Sequence, residues 1–201
     1  MKLRFKSLKG WLALSGLLSC VAMPSAYAVQ PASPEMLTLT CYACHGTRGA
    51  SAGPLQPSIG GQNPKYMFDT LKRYQSGERP STVMGRIMSG YSDAEIKAIA
   101  EQLSKYPFVA ATHQRDVNPT KAEKGRVLHD QHCKKCHQDN GRDYAEGAGI
   151  LGGQWMGFLK LVFDEYKAGK RPMPKEMQER IGKVTDEDCD NLAHFYASQK
   201  H

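Results

Sequence analysis

Cys41-Tyr42-Ala43-Cys44-His45 and Cys133-Lys134-Lys135-Cys136-His137 share one five-residue pattern: two thiols three apart, with histidine directly after the second. That order of residue types points to covalent haem attachment. Each thiol can add across a haem vinyl group, and the histidine turns under the iron as its proximal ligand. Cys41, Cys44 and His45 are therefore one candidate site, and Cys133, Cys136 and His137 a second, so two covalent haem c groups are expected. Zinc is the main competitor for paired C-x-x-C units, but such pairs usually lie about 15–20 residues apart. Here 88 residues separate Cys44 from Cys133. A thioredoxin-like redox pair would want a strand before it and a helix after it, and gives no reason for histidine to follow both times.

Working outward, the two motifs belong to a longer repeat. Adding 92 to a residue number carries Cys41 to Cys133, Gly60-Gly61-Gln62 to Gly152-Gly153-Gln154, Tyr74 to Tyr166, Gly77 to Gly169 and Arg79-Pro80 to Arg171-Pro172. After one inserted residue the offset is 93 and carries Met84 to Met177, Ser92-Asp93 to Thr185-Asp186 and Ile96 to Cys189. An internal repeat of this length means two copies of one module. The expected organisation is a signal peptide at 1–28, a first domain at 29–110, a linker at 111–119 and a second domain at 120–201.

Within each module the signals are helical. Ser33-Pro34, and Thr120 with Glu123 at capping-box spacing, are expected to begin the helices that lead into the two motifs. Asn63-Pro64 opens a further helix with Met67, Leu71 and Tyr74 on one face, and its partner runs from about Trp155 to Lys167. Ser92 with Glu95, and Thr185 with Asp188, start the last helix of each copy. Its apolar face carries Ile96, Ile99, Ala100 and Leu103 in one copy and Cys189, Leu192, Ala193 and Tyr196 in the other. No strand is expected, so the fold class is all-α: two tandem domains, each wrapped around one covalent haem. Modules this small bury a modest core, and the macrocycle is expected to complete it.

Lys2, Arg4, Lys6 and Lys9 precede an apolar run from Trp11 to Val21, and Ala26-Tyr27-Ala28 supplies small residues for cleavage before Val29, which reads as a secretory signal peptide and a periplasmic address. Leu17-Leu18-Ser19-Cys20 is a weaker alternative, a lipoprotein-type cleavage with Cys20 lipidated. The apolar run is too short to span a membrane, and no transmembrane segment follows. Removing the leader lowers the net charge from +7 to +3. Haem carboxylates would offset the rest, so the composition gives no support for nucleic-acid binding. Cys189 is left as a single buried apolar thiol. His113, His129, His132, His194 and His201 are expected to be surface or packing residues, with His132 close enough to a haem edge to affect its potential.

The sixth iron ligand decides what such a haem does. Methionine opposite histidine raises the potential and fills the last position, leaving a carrier of electrons. Met84 and Met177 are chosen over Met88 and Met173, because each lies nine residues before the helix-start aspartate, Asp93 or Asp186. The Gly-Gly-Gln pairs do not fit a phosphate loop and are expected to let backbone pass close beside the haem. Pro57 is expected to present the carbonyl that holds the ring nitrogen of His45, with Gly149 in its place in the second copy and a less rigid loop there.

The order C-x-x-C-H, Gly-Gly-Gln, Tyr-x-x-Gly-x-Arg-Pro, methionine, Ser/Thr-Asp, given twice, resembles the two-domain dihaem cytochromes c. Within that class, Ser81-Thr82-Val83-Met84-Gly85-Arg86-Ile87 with Gly90-Tyr91-Ser92, and Gly153-Gln154-Trp155 with Arg171-Pro172-Met173 and Met177, look most like the cytochrome subunit of flavocytochrome c sulfide dehydrogenase. That resemblance implies a flavoprotein partner whose FAD donates electrons derived from sulfide, and a soluble cytochrome c acceptor. The chain itself is then no enzyme. A free-standing dihaem shuttle to a terminal oxidase is the alternative. A dihaem peroxidase would need one haem with an open position, which a methionine in both copies disfavours.

Overall fold

The computed structural model describes residues 30–111, 114, 116–145 and 147–200. The segment 1–28 expected to be a signal peptide, with Cys20, and also His113 and His201, lie outside the described residues. Nine helices are described: α1 (Pro34–His45), α2 (Pro64–Gln75), α3 (Met84–Met88), α4 (Asp93–Ser104), α5 (Pro119–His132), α6 (Gln138–Gly141), α7 (Met156–Lys167), α8 (Lys175–Ile181) and α9 (Asp186–Ala197). No strand occurs among the described residues, and no helix there is long and apolar enough to cross a membrane.

The helix starts follow from local chemistry. Ser33 accepts the Met36 amide at 3.2 Å and Asn63 accepts the Tyr66 amide at 2.9 Å, each followed by a proline that has no N–H to lose at the first helical position. Ser92 with Glu95 and Thr185 with Asp188 form the two expected capping boxes. One expected start is corrected. The cap of α5 is Asn118, which accepts the Lys121 amide at 3.1 Å, while Thr120 already lies inside the helix. Pro119 forces this, because its fixed φ suits the first helical position and sets the cap one residue before it.

In the first half α1 and α2 pack on α4 around Leu37, Met67, Leu71, Ile96, Ile99 and Leu103. In the second, α5 and α7 pack on α9 around Leu159, Phe163, Cys189, Leu192, Phe195 and Tyr196. Cys189 is buried as expected, and burial pushes its thiol up to about 11. Both halves lie within one unit, Ala32–His201.

The crossing of α5 on α9 depends on Gly125. A Cβ there would stand 2.2 Å from the carbonyl oxygen of Asn191 and 2.6 Å from the Cβ of Phe195. Gly125→Ala is expected to push the two helices apart at a cost on the order of 3 kcal/mol, read as a fall in the denaturation midpoint.

Asp190 ties three helices together, taking Lys121 of α5 at 2.5 Å and Lys160 of α7 at 2.6 Å onto α9. Hydrogen bonds from Lys121 and Lys160 hold its carboxyl down to about 2. A depressed carboxyl stabilises the fold above its unfolded value of about 3.9 and loses that contribution as pH falls through the folded value. Stability should therefore drop between about pH 4 and about pH 2. Asp190→Asn should flatten acid unfolding over that window.

Candidate functional site

The first motif occupies the last turn of α1, so the helix sets the spacing of Cys41 and Cys44 and delivers His45 at its end. The second is built differently: α5 stops at His132, and Cys133 to His137 continue as a turn closed by the His137 amide on the Cys133 carbonyl at 3.0 Å. Beyond each histidine the chain reverses through left-handed residues, Gly46 and Arg48 in one half and Asp139 and Asn140 in the other. At Gly46 a Cβ would lie 1.9 Å from the carbonyl oxygen of Ala50, so glycine is required there.

Each motif histidine is oriented by one backbone carbonyl. His45 Nδ1 donates to Pro57 at 2.9 Å and His137 Nδ1 donates to Gly149 at 3.0 Å. A carbonyl can only accept, so the proton sits on Nδ1 and Nε2 is left with its lone pair. Burial lowers the His45 ring below the ordinary histidine range and pushes His137 down to about 4, which keeps both imidazoles neutral, as a metal ligand must be. The glycine at position 149 costs no hydrogen bond. It makes room for the ring of Tyr66 from the other half, which a Cβ would approach to 2.8 Å.

Cys41, Cys44 and His45 line the same cavity as Cys133, Cys136 and His137. It has a volume of about 1010 Å³ and is walled mainly by apolar side chains. Met84 and Met177 both line it, and so does Met88. Met88 is also buried in the first-half core, only 3% exposed. Met173 instead lines a separate cavity of about 430 Å³. His132 lines the large cavity, with its Nδ1 buried and unbonded. His129 is a packing residue, bonded to the Tyr196 hydroxyl at 3.1 Å, and His194 takes the Asn118 amide at 3.1 Å.

The donor set fits haem c. Cys41, Cys44, Cys133 and Cys136 are free thiols, neutral imidazoles and thioethers line the same void, and the cavity has a charge requirement. Arg79 and Arg171, both buried, line it, each stacked on a tyrosine: Tyr74 at 4.4 Å and Tyr166 at 5.0 Å. Arg171 has Glu165 at 3.1 Å, whereas Arg79 Nε is buried without a hydrogen-bond partner. An underpartnered buried cation suits a group that brings carboxylates.

Sequence reasoning missed what holds the halves together. The sequence draws attention to Gln62 and Gln154 only through the glycines before them. Gly60 and Gly61 stand close to the backbone of Arg48 and Phe108 respectively, and neither lines the cavity. The glutamine side chains cross the boundary: Gln62 bonds Ile150, and Gln154 bonds Ser58. Trp155 likewise donates to the Ser51 carbonyl at 3.2 Å. The repeat marked both glutamines as equivalent, but nothing in a linear pattern says that each is used by the opposite copy.

No family model matches the sequence. The cytochrome subunit of sulfide dehydrogenase from Chlorobaculum tepidum is 44% identical over 80 residues, 40% of this chain and 72% of that protein. The thiosulfate dehydrogenase electron acceptor of Thiomonas intermedia is 26% identical over 194 residues, 89% of this chain and 85% of that one. Among solved structures, reduced recombinant cytochrome c4 from Pseudomonas stutzeri superposes with a TM-score of 0.72 at 22% identity, covering 83% of this chain and 96% of that one. That likeness is one of fold.

Proposed function

The chain belongs to the c-type cytochromes, in their two-domain dihaem form, and from that premise we propose that it is the electron-transfer subunit of a sulfide-oxidising flavocytochrome. In this reading it takes electrons from the FAD of a flavoprotein subunit and hands them to a soluble cytochrome c acceptor in the periplasm. The observation that carries the reading is the 44% identity to a sulfide dehydrogenase cytochrome subunit. The carrier role is supported by the cavity, which both motifs and both arginines share.

Haem c, when bound, supplies reversible one-electron chemistry at iron. The residues supply the rest. Cys41, Cys44, Cys133 and Cys136 would hold the macrocycles as thioethers, His45 and His137 would be the proximal ligands, and Met84 and Met177 would complete coordination. Met177 is favoured over Met173 because it lines the cavity that the motif shares. Arg79 would neutralise a carboxylate inside the wall, and the apolar lining would exclude water. The first domain is 29–110, the second runs to 201 and opens at the Asn118 cap of α5 rather than at 120, the residues between are the linker, and 1–28 is removed on export.

A second reading, a free-standing dihaem shuttle, is favoured by the cytochrome c4-like fold over most of the chain. Gentle isolation from the native periplasm separates the two. A co-purifying chain with flavin absorbance, whose addition of sulfide reduces the haems, is the expected result. A lone dihaem species silent to sulfide would establish the shuttle instead.

A further inference from the structure

The peptide group that holds each motif histidine is hydrogen-bonded at both ends, and the two ends lead to different halves. The carbonyl of Pro57 and the N–H of Ser58 belong to one peptide unit. The carbonyl accepts from His45 Nδ1 at 2.9 Å, and the N–H donates to Gln154 Oε1 at 3.0 Å. The carbonyl of Gly149 and the N–H of Ile150 repeat the arrangement: His137 Nδ1 donates to the first at 3.0 Å, and the second donates to Gln62 Oε1 at 2.9 Å. Each glutamine also returns its own amide to the residue it holds, Gln154 Nε2 to the Ser58 carbonyl at 2.7 Å and Gln62 Nε2 to the Ile150 carbonyl at 3.4 Å. Ser58, Gln62, Ile150 and Gln154 are 1%, 4%, 7% and 2% exposed, so bulk water does not compete for these groups.

We propose that each glutamine is a positioning residue for the iron-binding histidine of the opposite half: Gln154 acts on His45 through the 57–58 peptide, and Gln62 acts on His137 through the 149–150 peptide. A peptide N–H that donates to a good acceptor polarises its own unit and leaves more negative charge on the carbonyl oxygen. Hydrogen bonds in such a chain strengthen one another, more so at low local dielectric. The carbonyl then draws harder on the Nδ1 proton, and an imidazole so held is the more basic ligand at its other nitrogen. A more basic ligand favours ferric iron. Glutamine suits the task because its oxygen and its NH₂ match the N–H and C=O of a single residue. Both bridges follow one rule, so each half carries the device that sets the other half's potential. Separation of the halves would break both.

The inference rests on the two-haem reading and not on the identity of the electron donor. The haem content of the unaltered holoprotein tests that reading, and the potentials of variants test the coupling. In full-length holoprotein, Gln154→Leu and Gln62→Leu are titrated with each haem followed separately through its paramagnetically shifted methyl resonances. Gln154→Leu should raise the potential of the haem on His45, changing its ferric-to-ferrous equilibrium about two- to tenfold, the worth of part of one hydrogen bond. It should leave the haem on His137 much less affected, and Gln62→Leu should do the reverse. A shift confined to the haem of the variant's own half, equal shifts of both haems, or no shift would overturn the proposal. If the leucine variants lose the fold, Gln154→Glu and Gln62→Glu carry the test. They keep the acceptor oxygen and must lower the opposite haem's potential as pH rises through the new carboxyl's titration; an unmoved or raised potential overturns the proposal equally.

Discussion

Met84→Ala should convert the first haem from six-coordinate to five-coordinate or water-ligated, and Met177→Ala should do the same to the second. The thioether stabilises ferrous iron, so its loss should lower the affected potential by about a tenth to a third of a volt, within the ~0.8 V that axial ligation spans. The open position should then bind added imidazole or carbon monoxide, which the unaltered protein should exclude. Visible spectra with a redox titration of each variant check both effects. The Met173→Ala variant is the control, since Met173 lines a different cavity from the one the second motif shares. If Met173→Ala opens the second haem and Met177→Ala does not, the assignment of the ligand is reversed. Met88→Ala tests the first half in the same way, and its main effect should be on stability, because Met88 packs in the core with Ile96 and Ile99.

The other large effect is on folding. With Cys133→Ala and Cys136→Ala together, the second macrocycle cannot be attached, and its share of the cavity must either stay empty or collapse. Unfilled apolar cavity costs about 24 cal/mol per Å³, and the shared void is about 1010 Å³. A third of it corresponds to about 8 kcal/mol, within the ~5–15 kcal/mol by which a whole domain is stable. The expected outcome is a chain with one haem, a folded first half, and a second half that has lost much of its helical signal and is cleaved rapidly by protease. Circular dichroism and limited proteolysis read this directly. A double variant that kept full helicity and resisted protease would show that α5, α7 and α9 suffice as a core without the macrocycle.

The sequence made within-copy features legible and left between-copy features dark, for a physical reason. Helix starts at Ser33, Asn63, Ser92 and Thr185 are local, because a cap and the amide it serves lie three residues apart. Apolar faces such as Ile96, Ile99 and Leu103 follow from helical periodicity alone. The α5 start is ambiguous in the sequence because two competent caps, Asn118 and Thr120, stand beside one proline. The Gln62–Ile150 and Gln154–Ser58 bonds span 88 and 96 residues. No periodicity encodes a partner at that distance. The repeat did carry a trace of it, since Ser58 and Ile150 are themselves 92 apart, the spacing that relates Gln62 to Gln154.

Glycine at position 149 has a consequence for whether the two copies are interchangeable. The first copy has Pro57 at that place, and the ring of Tyr66 lies where any Cβ on residue 149 would stand 2.8 Å from it. A protein assembled from two first copies would set a proline against that ring and could not close in this arrangement. A symmetric pair built from the first copy is thus disfavoured by this one contact, whereas the unlike pair joined in one chain sets glycine against the ring.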